Sequence, residues 1–318
     1  MLINILWSIV GFIVLIKCAD FIVDGASSLA LIFKIPTMII GLTIVAFGTS
    51  APELAISFSA HMSNNIDIMF GNVIGSNIVN ILVILGLAIL IKPLKIYNEI
   101  ILKQIPILLL VTLALSKLLL DSAFDTRHVN SLTRADGLIL ILFFSIFIYY
   151  LMTILSNNKS EFSSIQKPKY KLHISVAIMI LGLIGVIIGS NLVVNNVAAL
   201  AISVGLSQKL ISVTIVSIGT SLPELVTTVV AAKKGENDMA IGNIVGSNIF
   251  NICIVLGLPI VMLGEVSTAS FNIIDMIFML AAVLLLWVFS STNREIGRKE
   301  AAIFIGIYCL YIGYILLQ

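Results

Sequence analysis

The sequence predicts an all-α integral membrane protein, with ten transmembrane helices in two inverted-topology five-helix repeats. Three observations predict it. The hydrophobic fraction is 59%, only 11% of residues are charged, and mean hydropathy is +1.16, more apolar surface than a soluble domain could hide. Residues 41–87 recur 171 positions later without a gap and agree at 22 of 47 positions, most densely at polar residues and glycines. Each copy also carries one carboxylate, Glu53 or Glu224, in an otherwise apolar stretch. Acids at membrane depth are costly and face a protein or water-filled interior rather than lipid.

Crossing the hydrocarbon as a helix takes about 20 apolar residues. On that measure the spans fall near 4–30, 37–60, 69–91, 99–120, 136–155, 172–200, 209–232, 240–263, 271–290 and 300–317. The runs are continuously apolar and do not alternate every second residue, which favours helices over a barrel. The first run lacks a basic lead-in and continues past Cys18, which predicts a retained span rather than a cleaved leader. Residues 6–45 match 177–216 more weakly at the same offset, pairing Gly11 with Gly182, Asp24 with Asn195 and Thr43 with Thr214.

The halves, 1–155 and 172–318, therefore hold five spans each, joined by the polar segment 156–171. An odd number of spans reverses the direction of every equivalent helix, which makes the repeat inverted. Twelve basic residues (Lys34, Lys92, Lys95, Lys159, Lys167, Lys169, Lys171, Lys233, Lys234, Arg294, Arg298, Lys299) fall in alternate loops on one side. The other side's loops have Arg127, Arg134 and Lys209. This asymmetry puts the 156–171 linker in the cytoplasm and both termini outside the cell, in the plasma membrane.

Several classes are disfavoured. A net charge of +2, with no basic patch interleaved with aromatics, gives nucleic-acid binding no support. Cys18, Cys253 and Cys309 all fall within spans, so no disulfide framework is implied. His61, His128 and His173 lie in loops or at span ends without zinc spacing. The Gly-Thr-Ser segments do not form a phosphate-binding loop. No cofactor and no obligate protein partner are expected.

The chemistry concentrates in the repeated motifs. GTSAPEL at 48–54 and GTSLPEL at 219–225 each place a proline inside a span. Proline removes a backbone donor and clashes with the carbonyl four residues earlier, so Pro52 frees Gly48 and Pro223 frees Gly219. Gly48 and Gly219 are expected to loosen the same turns, baring carbonyls from Ala46 to Thr49 and from Ser217 to Thr220. Broken backbone at membrane depth is tolerated where it lines a cavity or binds something. Glu53 lies one turn from Ser50, and Glu224 one turn from Ser221. Carboxylate, hydroxyl and carbonyl together form a hard oxygen site suited to Ca²⁺, and Na⁺ accepts the same ligands. The plainer alternative is a kink with a satisfied glutamate; its duplication at symmetric positions weighs against that.

GNVIGSNIVN at 71–80 and GNIVGSNIFN at 242–251 add a polar stripe. Asn72, Ser76 and Asn80 recur every four residues, as do Asn243, Ser247 and Asn251. Ser76, Asn80, Ser247 and Asn251 are read as neutral ligands, and Asn72 and Asn243 as amides that join helices. Gly71 with Gly75, and Gly242 with Gly246, allow close helix approach. Asp20 and Asp24 align with Asn191 and Asn195, so a structural or access role is expected of them. Asp275 is expected to reach the interface.

On the paired GTSxPE and GNxxGSNxxN strings, the chain resembles the cation/calcium exchanger superfamily, most closely the prokaryotic sodium/calcium exchangers, over its whole length. The resemblance implies a mid-membrane cluster of cation sites centred on Glu53 and Glu224. Around them it places Ser50, Ser221, Ser76, Ser247, Asn80 and Asn251, with Thr49, Thr220 and the carbonyls of Ala46 and Ser217 lining sodium positions. It implies Na⁺ and Ca²⁺ as exchanged partners in the lipid bilayer and alternating access through sliding of spans 1 and 6. Several relatives carry aspartate where this chain has Asn251, which implies potassium-independent, electrogenic exchange. Ca²⁺/H⁺ antiport on the same fold is the runner-up. An intramembrane transferase would need a phosphate-handling acid cluster or a nucleophile–base pair, and neither is found. A passive channel fits an inverted repeat poorly.

Overall fold

The computed structural model describes residues 2–119, 131–157, 167–203, 217–268 and 272–317. Almost all of them are helical. In chain order the helices are α1 (Leu2–Phe33), α2 (Thr37–Thr49), α3 (Ala51–Met62), α4 (Ile66–Ile91), α5 (Ile100–Leu119) and α6 (Arg134–Leu155). After the linker come α7 (Leu172–Ser203), α8 (Ser217–Thr220), α9 (Leu222–Lys234), α10 (Asn237–Leu263), α11 (Ile273–Thr292) and α12 (Arg298–Leu316). Among the described residues eight helices are long and apolar enough to span a membrane, and α2 with α3 makes a ninth if that bent pair is one span. Residues 209–216 of the expected seventh span lie outside the described residues; its remainder is α8 and α9.

The same local structure is built twice. α1 and α7 each run for 32 residues. Both α4 and α10 widen into π-helical turns that begin at the last asparagine of the GNxxGSNxxN string, at Asn80–Leu85 and Asn251–Leu256. Such turns cluster at functional sites because they re-aim the side chains around them. α9 ends on Gly235, whose φ of 83° allows the left-handed cap that closes the helix behind Lys233 and Lys234.

Two short strand pairs join the halves. β1 (Leu94–Lys95) pairs antiparallel with β4 (Glu295–Ile296), and β2 (Ser131–Leu132) with β3 (Val266–Ser267). Each half contributes one strand to each pair, so the loops at both ends of the bundle are held across the repeat boundary.

α4 and α10 form the buried centre, while α1 and α7 are mostly exposed and pack along one another. Glycines permit that contact. A Cβ on Gly182 would lie 2.8 Å from the Cys18 carbonyl oxygen, and one on Gly11 or Gly189 would lie 3.0 Å from the other's carbonyl. In lipid, helix association rests on close backbone packing and hydrogen bonds more than on burial from water. Gly242 and Gly246 do the same for α10 against α2, where a Cβ on Gly246 would meet the Leu42 carbonyl at 2.6 Å. The segment equivalent to that part of α2 lies outside the described residues, and among the described ones nothing lies within 4 Å of a Cβ on Gly71 or Gly75.

Candidate functional site: a buried oxygen cluster between the repeats

The chain breaks where the proline motif predicts, but for a more specific reason. α2 and α3 meet at a bend of 44° on Ser50, whose φ and ψ are −86° and 9°. Ser221 adopts −88° and 5° before α9. Pro52 and Pro223 sit in the first turn of the following helices, where a missing N–H costs nothing. Gly48 and Gly219 do not act by loosening the backbone, which remains helical there. They act as contact points for α7: a Cβ on Gly48 would be 2.6 Å from Leu183, and one on Gly219 would collide with Val194.

The expected bare carbonyls are also more engaged than predicted. The Ala46 carbonyl accepts the Ser50 N–H at 3.0 Å, and the hydroxyls of Thr49 and Ser247 at 3.2 and 3.4 Å. The Gly219 carbonyl, freed by Pro223, accepts the Ser190 hydroxyl at 2.7 Å. Ser190 has Ala19 as its repeat partner, so only the second break has this cap. Ser217 opens α8, and its side chain lies outside the described residues.

Glu53 and Glu224 start α3 and α9, project from the two breaks, and are each 1% exposed. They lie within electrostatic range of one another. The Ser50 hydroxyl donates across the repeat boundary to Glu224 Oε1 at 2.8 Å, and Ser247 approaches the same oxygen at 3.5 Å. Thr220 lies beside the Glu53 carboxylate and Thr49 beside that of Glu224, while the Thr49 hydroxyl donates to the Val45 carbonyl at 3.0 Å. Thr49 also reaches Asn243 Oδ1 at 3.4 Å. Ser221 takes another partner, Ser76 Oγ at 3.4 Å. Asn72 donates to the Glu53 carbonyl and to Ser57, at 2.9 and 3.1 Å, while Asn243 donates to Thr228 at 2.9 Å. These two amides brace the acid-bearing helices, and Asn243 also presents its Oδ1 to Thr49.

Four asparagines cross the centre in a reciprocal pattern. Asn77 Nδ2 donates to the Asn248 carbonyl at 3.3 Å, and Asn248 Nδ2 to the Asn77 carbonyl at 3.4 Å. Asn80 Nδ2 donates to Asn248 Oδ1 at 2.9 Å, and Asn251 Nδ2 to Asn77 Oδ1 at 3.2 Å. Asn77 and Asn248 were not among the expected site residues, because they fall off the four-residue stripe. The duplication carried the signal, since both are identical between the copies.

Among the described residues, the buried oxygens that accept no hydrogen bond from the protein include Glu53 Oε2, Glu224 Oε2, Asn80 Oδ1 and Asn251 Oδ1. These four form two repeat-related pairs. An unsatisfied buried polar group costs about 1–3 kcal/mol, and a set of four such oxygens matched between the repeats has the chemistry of a hard-cation ligand set.

Among the described residues, the two repeat-equivalent helix contacts beside the cluster differ. α1 packs along α9. The repeat-equivalent faces of α7 and α3 are separated by a cleft of about 470 Å³, lined by Pro52, Ile56, Ser190, Asn191, Asn195 and Thr220 among others. Thr220 joins that cleft to Glu53. On the closed side Lys234 Nζ lies 3.0 Å from Asp20 Oδ1 and 2.8 Å from Asp24 Oδ1, and Lys169 Nζ lies 2.6 Å from Asp24 Oδ2. Their repeat partners on the open side, Asn191 and Asn195, are uncharged and line the cleft. Asp275 accepts the Tyr311 hydroxyl at 3.1 Å, away from this cluster.

The profile of the sodium/calcium exchanger protein family matches residues 3–153 and 174–317. The chain belongs to that family. This exchanger-family chain is 38% identical to the putative antiporter CaxA of Alkalimonas amylolytica, over 99% of this chain and 98% of that one. It is 30% identical to the sodium/calcium exchanger MaX1 of Methanosarcina acetivorans, over 98% and 97% respectively. Among solved structures, the sodium-calcium exchanger NCX_Mj soaked with Na⁺ and Sr²⁺ superposes with a TM-score of 0.83 at 30% identity, covering 98% of both chains. The exchanger fold and a transporter rather than enzyme class follow, as does multi-span membrane residence.

Proposed function

We propose that this chain is a secondary antiporter that exchanges Na⁺ for Ca²⁺ across the plasma membrane by alternating access. One observation carries the reading: the four unpaired buried oxygens of Glu53, Glu224, Asn80 and Asn251, contributed equally by the two repeats. Two carboxylates balance one Ca²⁺ or two Na⁺. A third Na⁺ would bring net charge across, which makes exchange electrogenic. The hydroxyls of Ser50, Ser221, Ser76, Ser247, Thr49 and Thr220 and the carbonyls of Ala46 and Ser217 complete the ligand shell in this reading. With asparagine at 251 the centre has no third acid to hold K⁺, so transport is potassium-independent.

Ten spans in two inverted five-helix repeats supply the switching geometry. Support comes from the twice-built element order, the strand pairs exchanged between halves and the reciprocal asparagines. With the 156–171 linker in the cytoplasm and both termini outside, the Asp24–Lys169–Lys234 cluster lies on the inner side and the cleft opens outward.

Proteoliposome flux under separately imposed gradients tests this. Ca²⁺ uptake driven by an outward Na⁺ gradient, unaffected by K⁺, is expected. Uptake driven equally by a pH gradient without Na⁺ would favour Ca²⁺/H⁺ antiport instead, and uptake without any counter-gradient would mark a channel.

A further inference from the structure

We propose that Asn77 and Asn248 are positioning residues that hold the amides of Asn251 and Asn80 with their oxygens, not their NH₂ groups, toward the transported cation. The inference rests on the cation reading of the site given above. Amide polarity here follows from what each partner is able to offer. A backbone carbonyl only accepts, so Asn77 must present Nδ2 to the Asn248 carbonyl. Its Oδ1 is then turned to Asn251, which can respond only with Nδ2, and does so at 3.2 Å. Asn251 Oδ1 is left buried with no protein partner.

The mirror chain of constraints runs from the Asn77 carbonyl through Asn248 to Asn80, and leaves Asn80 Oδ1 equally unpaired. Each repeat thus orients the other's ligand. Asn77 Nδ2 also approaches Met279 Sδ at 3.8 Å, so α11 supports the same amide.

The consequence is electrostatic. An amide turned by half a rotation gives a cation two donor hydrogens in place of a carbonyl oxygen, which replaces attraction with repulsion. Asn80 and Asn251 begin the π-helical turns, where the backbone itself fixes the Cβ but not the amide's rotation. Only the partner amide removes that freedom. A carboxylate at 251 would need no such control, because it offers an oxygen whichever way it turns.

The test compares wild type, Asn77→Ala, Asn251→Asp and the double variant, each as the full chain in proteoliposomes. The half-saturating concentration of radiolabelled Ca²⁺ and the Ca²⁺-induced rise in melting temperature are both measured. Wild type alone reports on the cation reading; failure of Ca²⁺ to bind it would sink that reading before the brace is reached. Given wild-type binding, Asn77→Ala is expected to raise half-saturating Ca²⁺ by about tenfold or more, the usual scale for losing a group that orients a ligand. In the Asn251→Asp background the same substitution is expected to change it by less than about threefold, because the brace there is redundant. Equal losses in both backgrounds, or no loss in either, would overturn the proposal in favour of simple helix packing. If Asn77→Ala fails to insert by itself, recovery of an inserted, Ca²⁺-binding protein on adding Asn251→Asp supports the brace. Failure to insert in both backgrounds overturns it.

Discussion

The Ser50 hydroxyl donates to Glu224 Oε1 at 2.8 Å, joining the break in the first repeat to the acid of the second. The equivalent residue, Ser221, instead meets Ser76 at 3.4 Å. The two repeats are thus alike in residues but not in hydrogen bonding. A hydrogen bond to a charged group contributes about 1.5–3 kcal/mol. Ser50→Ala should therefore raise half-saturating Ca²⁺ by roughly tenfold, and Ser221→Ala by roughly threefold or less. Equal effects, measured by Ca²⁺ titration of the purified variants, would contradict this asymmetry.

The one-sided cleft predicts a labelling pattern. Ile56 lines the cleft, while its repeat partner Thr227 is fully buried. In a background without Cys18, Cys253 and Cys309, Ile56→Cys should react with a membrane-impermeant thiol reagent added outside, and Thr227→Cys should not. Conditions that move the protein to its other face should protect Ile56→Cys and expose Thr227→Cys to the same reagent added inside. Reactivity of both positions together would mean a continuous pore.

The inner ion cluster should influence switching more than stability. Asp24 bridges Lys169 and Lys234, but these groups are partly exposed, and such pairs are weak and screened by salt. Asp24→Asn copies Asn195 at the mirror position. It should leave the melting temperature nearly unchanged while increasing inner-side accessibility of the α1–α9 contact, read by inner-side thiol labelling. A large drop in melting temperature with unchanged accessibility would contradict this.

Salt rather than pH should loosen the same cluster. The hydrogen bond to Asp24 holds the Lys169 ammonium above its usual value, with Tyr170 adding to the effect. A lysine raised in the folded state contributes below its unfolded value of about 10.4 and loses that contribution as pH rises through the folded value. Inner-side accessibility should therefore stay flat from pH 6 to 9, on the order of one unit or more below that window, and rise with ionic strength. A transition near neutrality would point to another group.

Much of this architecture was legible in the sequence because the repeat conserves polar residues in apolar surroundings. The Glu53 and Glu224 pair, the proline-linked breaks at Ser50 and Ser221, and the Asn80 and Asn251 ends of the stripe all follow from the 171-residue offset. What stayed hidden depends on contacts between the halves. Asn77 and Asn248 sit one residue after Ser76 and Ser247, about 100° around the helix, so periodicity separates them from the ligands they orient. The π-helical turns after them have no composition signature. Gly48 and Gly219 read as loosened turns when seen along the chain, whereas in space they are where α7 passes. The Ser190 cap on the Gly219 carbonyl likewise joins distant segments, and nothing in the first repeat foreshadows it.

The central claim is that Glu53 and Glu224 jointly hold the exchanged cation. It is tested most directly by Na⁺-gradient-driven Ca²⁺ uptake in proteoliposomes containing wild type, Glu53→Gln or Glu224→Gln. Each neutral variant should insert normally and transport no better than empty vesicles. Near-wild-type uptake by either one would contradict the claim.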